Sequence, residues 1–480
     1  MPQYVLRVEG VNHANVIDDT DDLSTRRGGG LMLLYAVRQL APSFPELTPQ
    51  ATGASVGLFT LDAADDGAAE AVAERVRRHF HDDDLEYPLN DAATRTGHLP
   101  LRHGTFVVDV VRADGSAVER ATAANRWRQW QEPTVSLAGV WDAAAGECWQ
   151  NCVRPAVRGR QLRKDRQHDV CESVYRRHEY GREQRQRFYP EVIGVDADFT
   201  DTFEGISDRT GLAPHPTHNK LAVFYADGNK FGAIGREKLA AGMGEYKEWS
   251  DALQNHHKKL LAGLVTHAKD DPAWLNGGAI RLETLLWGGD ELLWVVPGWK
   301  GWELVERFFG QPHTVQERPL TYAAGLVFCG TRTPIHNVVT LAHRLADEAK
   351  KAREGHSLAY EVLESFDDIT GDWDAHRRRW LPPSTKASTD PLTINPAQDS
   401  AFWTALRAVA AAPDFPMRQL YLLAHAWRTG EPTEPHRKRL TASGVGAALE
   451  TVLAGFGDPE VGWLHLLQML PYVPVREGAE

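Results

Sequence analysis

Two short runs place carboxylates where they would do chemistry: Phe224-Tyr-Ala-Asp-Gly-Asn-Lys-Phe-Gly232 and Leu286-Trp-Gly-Gly-Asp-Glu-Leu292. Each reads as an apolar strand that delivers an acid into a glycine turn. Gly288 and Gly289 permit a tight turn and leave room for a phosphate to approach the backbone. An unpaired carboxylate at the end of a buried strand is costly, so a cation is expected beside Asp227. Asp227, Asp290 and Glu291 offer the hard oxygen donors that Mg²⁺ or Mn²⁺ prefers, and two such ions can support a phosphoryl transfer. The chemistry suggested is nucleotidyl transfer on a palm-type sheet. An ordinary surface hairpin with acidic turn residues would also explain the second run taken alone; the first run favours the metal reading.

Positioning those acids requires strands and covering helices, and the chain reads as α+β. Residues 1–140 alternate strand (4–8), helix (28–40), strand (54–61), helix (69–80) and strand (105–111), an order that suits a ferredoxin-like sheet on two helices. Residues 141–214 are an arginine- and cysteine-rich connector. Residues 215–355 form a second α/β unit: a strand at 221–225, a long helical stretch at 236–269 broken near Gly242 and Gly244, and the two arms of a hairpin at 281–287 and 292–296. A helix at 302–309, a strand at 320–329 and an amphipathic helix at 334–352 complete it, with Pro334 placed where a missing N–H is harmless. Residues 356–480 read as mostly helical, with a proline- and charge-rich linker at 373–396 and helices at 402–411, 418–428, 437–454 and 462–470.

The 480 residues carry a formal net charge of -12, which argues against a sequence-independent nucleic-acid coat. No stretch is apolar for the roughly 20 residues a bilayer crossing needs. The N-terminus lacks the order of a secretory signal. Four cysteines in so long a chain do not make a disulfide framework, and a reducing cytoplasm is the natural setting.

The connector holds three of those cysteines. Cys148, Cys152 and Cys171, with His178 as the preferred fourth ligand and His168 next, would suit a closed tetrahedral Zn²⁺ site; three unrelated thiols are the plainer alternative. The arginines of the same stretch would contact RNA or an acidic partner, or pair with acidic segments of the chain itself. Among those segments, Asp18, Asp19, Asp21 and Asp22 precede a helix, and Asp22 reads as its N-terminal cap. Gly28-Gly-Gly30 at that helix start would offer an anion site, such as for a second nucleotide's phosphates.

The order Tyr225-x-Asp227-Gly-Asn-Lys-Phe-Gly232, Gly288-Gly-Asp-Glu291, Tyr322-Ala-Ala-Gly-Leu-Val-Phe328, then Thr333-Pro334 and a helix carrying Ala349-Lys350, resembles the GGDEF-like palm. Within that superfamily it is most similar to the large polymerase-cyclase subunit of type III CRISPR effectors and to the stand-alone CRISPR polymerases. The run from Ile17 to Leu31 is similar to the opening of that subunit. The resemblance covers most of residues 1–352, is specific in the second half and weaker in the first, and no histidine-aspartate nuclease domain accompanies it.

The resemblance implies two ferredoxin-like palms, a silent first and a catalytic second carrying the GGDE hairpin, a cysteine-bearing connector that often binds zinc, and a helical C-terminal domain. It implies two Mg²⁺ or Mn²⁺ ions on Asp227, Asp290 and Glu291, with the Gly228 carbonyl as a further ligand. Gly228, Asn229, Gly288, Gly289 and Lys350 would meet the nucleotide, Lys350 through its phosphates. Asn229 departs from the second aspartate of many relatives and brings no charge.

The implied activity is synthesis of a cyclic or linear oligonucleotide signal from ATP or another nucleoside triphosphate in antiviral defence. A nucleotide-binding scaffold without turnover, holding RNA and other effector subunits, is the alternative. A c-di-GMP-type cyclase is a third; Leu292 stands where that group has Phe. A homo-oligomer is compatible with all of these.

Overall fold

The computed structural model describes residues 1–82, 84–88, 96–131, 146–162, 168–210, 212, 216–364, 372–382, 388–456 and 458–473. The boundaries expected at 140/141 and 214/215 lie outside these residues, as do two of the connector's arginines, Arg163 and Arg166. The chain forms two compact units, each assembled from three segments. The first comprises Met1–Ala197, Lys230–Lys259 and Thr284–Glu291; the second comprises Asp198–Asn229, Leu260–Glu283 and Leu292–Glu480. No helix among the described residues is long and apolar enough to cross a membrane.

In the first unit, strand Gln3–Val11 pairs antiparallel with both Val56–Asp62 and Thr105–Arg112, and Thr48–Thr52 adds to the far side of Val56–Asp62. In chain order of its strands the sheet runs second, third, first, fourth. Helix Leu23–Arg38 joins the first two strands and Asp66–Asp82 joins the last two. Strand alternation sends Tyr4, Leu6 and Val8 to one face, where they meet Leu33, Val37, Phe59, Val76 and Phe80. The odd residue Val5, with Leu58, lies on the opposite face, beside Ala117 of helix Ala117–Gln131 and partly buried Met243 and Tyr246.

Helix Leu23–Arg38 crosses the 22-residue helix Glu172–Ile193 closely enough that glycine is required on both. A Cβ on Gly28 would lie 1.8 Å from the Arg177 carbonyl oxygen, and one on Gly181 would lie 1.9 Å from that of Ser24. The glycine run therefore serves packing. It sits inside the helix, where its N–H groups fall within the helical ladder, so the anion site expected at a helix start does not exist there.

In the second unit the strands Glu291–Pro297, Lys220–Gly228, Tyr322–Gly330, Ser357–Val362 and Thr393–Ile394 are neighbours in that order. Lys220–Gly228 runs antiparallel to Tyr322–Gly330, which runs parallel to Ser357–Val362. Strand Lys220–Gly228 is buried at six consecutive positions, Leu221 to Ala226, as a central strand covered on both faces should be. The amphipathic helix Ile335–Ala352 lies on Tyr322–Gly330, and at Gly325 a Cβ would come within 1.9 Å of the Ala342 carbonyl oxygen.

One expected break falls where the sequence puts it, and two other expectations shift in detail. The helical stretch breaks at Gly242, whose φ of 140° an L side chain rarely adopts, leaving Phe231–Ala241 and Met243–Asp270. The stretch read as a linker contains helix Trp373–Arg378 and strand Thr393–Ile394, which pairs with Leu358 and Ala359. The single helix expected at 437–454 is two, Glu434–Thr441 and Gly446–Ala454.

Candidate functional site

Asp227 is the penultimate residue of strand Lys220–Gly228, opposite Ala323 in the register. Its side chain is mostly buried, and Lys350 from helix Ile335–Ala352 donates to Oδ2 at 2.5 Å. The cation required beside a carboxylate at the end of a buried strand is therefore present. It comes from the lysine that the resemblance had assigned to phosphates.

After Gly228 the chain turns through Lys230, a non-glycine residue in the left-handed region (φ 63°), into helix Phe231–Ala241. Asn229 pins this turn. Its backbone N–H donates to the Thr321 carbonyl at 2.8 Å, and Nδ2 donates to Thr321 Oγ1 at 3.1 Å and to the Gly355 carbonyl at 2.9 Å. Its Oδ1 is buried with no donor among the described residues.

Strand Glu283–Trp287 enters the second glycine turn, and Glu291–Pro297 leaves it. The Gly288 N–H donates to the Glu291 carbonyl at 2.9 Å and closes the turn. A Cβ on Gly288 would lie 3.1 Å from that same oxygen, whereas Gly289 has open space beside it. Asp290 and Glu291 are half-buried. Trp287 anchors the approach to the turn, edge-on to Phe188 and His257. Asp290 and Glu291 belong to the first unit and Asp227 to the second.

The cysteines are placed differently from a closed zinc set. Cys148 and Cys171 are buried neighbours, Cys152 is exposed, and all three are free thiols. The hydrogen bond with Cys171 holds the Cys148 thiol below the usual thiol range, against the opposing effect of burial. Cys171 also caps helix Glu172–Ile193. His178 Nδ1 donates to Asp22 Oδ1 at 2.8 Å, and His168 stacks on Trp149. No three of Cys148, Cys152, Cys171 and His178 bring their ligand atoms within 4.8 Å of one another, so the structure does not gather the four around one point.

Two acids of the run before the first helix are paired, Asp19 by connector arginines and Asp18 by an arginine of that helix itself. Arg177 forks onto Asp19 at 2.8 and 2.9 Å, Arg154 lies 3.7 Å from the same carboxylate, and Arg26 pairs with Asp18 at 2.7 Å. Asp22 caps the helix by accepting from the Thr25 N–H at 2.8 Å. For Arg154 and Arg177 the intramolecular alternative holds.

Among the described residues, one group of three His, Cys, Asp or Glu side chains brings its ligand atoms within 4.8 Å of one another: His267, Asp271 and Glu303. The sequence reading missed it. Its spacing signals, His267-x-x-x-Asp271 and Lys300-x-x-Glu303, lie in separate elements and say nothing until folding joins them.

No family model and no curated protein matches this sequence. Solved structures do. A Csm1–Csm4 cassette in complex with cA4 aligns over 99% of this chain and 70% of that chain, with a TM-score of 0.55 and 12% identity. Csm1 in T.onnurineus aligns over the same shares with a TM-score of 0.55 and 13% identity. A Csm1–Csm4 cassette in complex with one ATP aligns over 98% and 70%, with a TM-score of 0.56 and 13% identity.

The fold is that of Csm1. The resemblance read from the two acidic runs thus meets a structural likeness that spans nearly the whole chain. At this identity what Csm1 shares with the chain is the fold, which is mixed α and β. Other Csm1–Csm4 structures hold pppApApA and AMPPNP.

Proposed function

We propose that this chain is a metal-dependent nucleotidyltransferase that joins ATP or another nucleoside triphosphate into a cyclic or linear oligonucleotide and releases pyrophosphate, as an antiviral signal. The observation that carries the reading is Asp227 at the end of a central strand, with the buried Asn229 Oδ1, which has no donor among the described residues, beside it, in a chain with the fold of proteins crystallised with ATP, pppApApA and cA4.

The donor set suits hard divalent cations. Asp227, Asp290 and Glu291 supply carboxylates, the Gly228 carbonyl lies next to Asp227, and Asn229 Oδ1 is a buried acceptor with no donor among the described residues. Bound there, two Mg²⁺ or Mn²⁺ ions would activate a ribose hydroxyl and steady the triphosphate. The chain's own groups do the rest. The Lys350 ammonium, exposed enough to swing from Asp227, would meet a phosphate. The open side of Gly289 would admit the nucleotide backbone. An accessory subunit like Csm4, RNA, or a second copy of this chain would be the partners.

One observation favours a second reading, a nucleotide-binding scaffold without turnover: Lys350 already neutralises Asp227. Incubating purified protein with radiolabelled ATP and Mg²⁺ or Mn²⁺ separates the two. An oligonucleotide product is expected, and Asp290→Ala with Glu291→Ala should reduce it by about 10³-fold, or ~4 kcal/mol of barrier. Undiminished product from the double variant would sink the proposal; no product from wild-type protein with either metal would favour the scaffold.

A further inference from the structure

Lys350 sits where metal chemistry would need Asp227 to be free, and the surroundings show which part of this contact can move. Its Nζ donates to Asp227 Oδ2 at 2.5 Å. The lysine side chain is 40% exposed and the aspartate 19%, so the ammonium keeps a way out to water while the carboxylate stays mostly covered.

The backbones on both sides of the pair are held. Asn229, two residues after Asp227, donates through Nδ2 to Thr321 Oγ1 at 3.1 Å and to the Gly355 carbonyl at 2.9 Å. Gly355, five residues after Lys350, turns the chain with a φ of 86° toward strand Ser357–Val362. That strand pairs with Tyr322–Gly330, which in turn places Ala323 opposite Asp227. Helix Ile335–Ala352 is seated on Tyr322–Gly330 at Gly325, where there is no room even for a Cβ. The end of the helix and the end of the strand are therefore tied together, and the mobile part is the lysine side chain on its four-carbon stem.

Two kinds of cation then compete for Asp227. An ammonium hydrogen-bonded to Oδ2 covers an oxygen that a divalent ion would use, and its charge repels that ion. A triphosphate offers the ammonium several anionic oxygens in place of one. An ion pair this exposed contributes little by itself, so such an exchange meets little resistance.

We propose that Lys350 is a latch on Asp227. In the free chain it keeps the carboxylate closed to a divalent cation; a nucleoside triphosphate opens it by drawing the ammonium onto its phosphates, so nucleotide and cation each favour the other's binding. The latch rests on the reading of the site proposed above, and it accounts for a neutralised Asp227 in a chain that turns over.

Binding measured without turnover tests it. Mn²⁺ titrated into the full chain, with the free ion followed by electron paramagnetic resonance, should bind Lys350→Met about three- to tenfold more tightly than wild type. Lys351→Met removes the same charge at the adjacent exposed position and should change the affinity less than about twofold, because water and salt screen that charge. The gain should vanish when Asp227→Asn is added to Lys350→Met. Conversely, in EDTA, Asp227→Asn should bind ATP about three- to tenfold more tightly than wild type, because its lysine is free, and adding Lys350→Met should remove that gain. All variants should melt near wild type, since a partly exposed pair contributes little to stability. Equal Mn²⁺ affinity in Lys350→Met and wild type, an equal gain in Lys351→Met, ATP affinity in EDTA unchanged by Asp227→Asn, or no Mn²⁺ binding to any of the proteins would each overturn the latch. A chain that binds as described yet makes no oligonucleotide keeps the latch and loses the enzyme; product formation with Mn²⁺ affinity unchanged in Lys350→Met does the reverse.

Discussion

Asp22 shows how much a single carboxylate can do once its neighbours are set. It accepts from the Thr25 N–H and hydroxyl, both at 2.8 Å, and from His178. Burial works to raise its pKa, but the His178 and Thr25 hydrogen bonds outweigh that and bring it to about 2. A folded pKa below the unfolded value means stability that is present above about pH 4 and lost as pH falls toward about 2. The shift corresponds to roughly 2 kcal/mol. Asp22→Asn keeps a capping oxygen and removes the charge, so it should be less stable at neutral pH by about 1–2 kcal/mol, with the gap closing between about pH 4 and 2. Urea melts followed by circular dichroism across that range would show it, and a gap that stayed constant with pH would contradict the account. Asp22 as a cap was readable from its type and position; its tie to His178, 156 residues away, was not. At the proposed active site the acids were readable for a similar reason, since a carboxylate after an apolar strand announces itself. The lysine set on Asp227 was silent, because which cation reaches a carboxylate 123 residues away depends on how the helix lies on the sheet.

Among the elements, the crossing of helices Leu23–Arg38 and Glu172–Ile193 makes the strongest demand on sequence. With Cβ positions 1.8 and 1.9 Å from carbonyl oxygens, no rotamer change can relieve an added methyl; the backbones must separate. Gly181→Ala should therefore destabilise by at least about 3 kcal/mol, the upper end for overpacking, or abolish folding. Gly289→Ala, with open space around it, serves as the control and should change the melting temperature little. Thermal melts of the pair check this, and equal melting temperatures would show that the helices do not approach so closely. Glycines 28–30 were visible as a run, but their purpose was not. A glycine that opens a helix and one that lets two helices touch look alike until the partner helix is placed.

For the whole molecule, the chain order of the two units matters. Every residue of the first unit's main core lies between Tyr4 and Tyr180, whereas the opposite face of its sheet is partly covered by Met243 and Tyr246, from a later segment. A fragment ending at Ala197 should keep its strands and helices, with helix Ala117–Gln131 still on that face, but leave bare the part that Met243 and Tyr246 cover. It should bind an apolar dye such as ANS and melt below the full chain. A fragment that melts as high as the full chain, without dye binding, would show that the later segment adds nothing to that sheet.

The α+β class, the strand ends carrying Asp227 and the Asp290–Glu291 turn, the break at Gly242 and the amphipathic helix bearing Lys350 were all legible in the sequence, because each is written in local pattern: alternation, glycine punctuation and helical periodicity. Tertiary structure alone decided that Lys350 pairs with Asp227, that Arg177 and His178 take up Asp19 and Asp22 before the first helix, that the glycine run is a packing surface, and that His267, Asp271 and Glu303 come together. These depend on contacts between residues far apart in the chain, and the energy of each is set by which partner arrives, information that no local window of sequence contains.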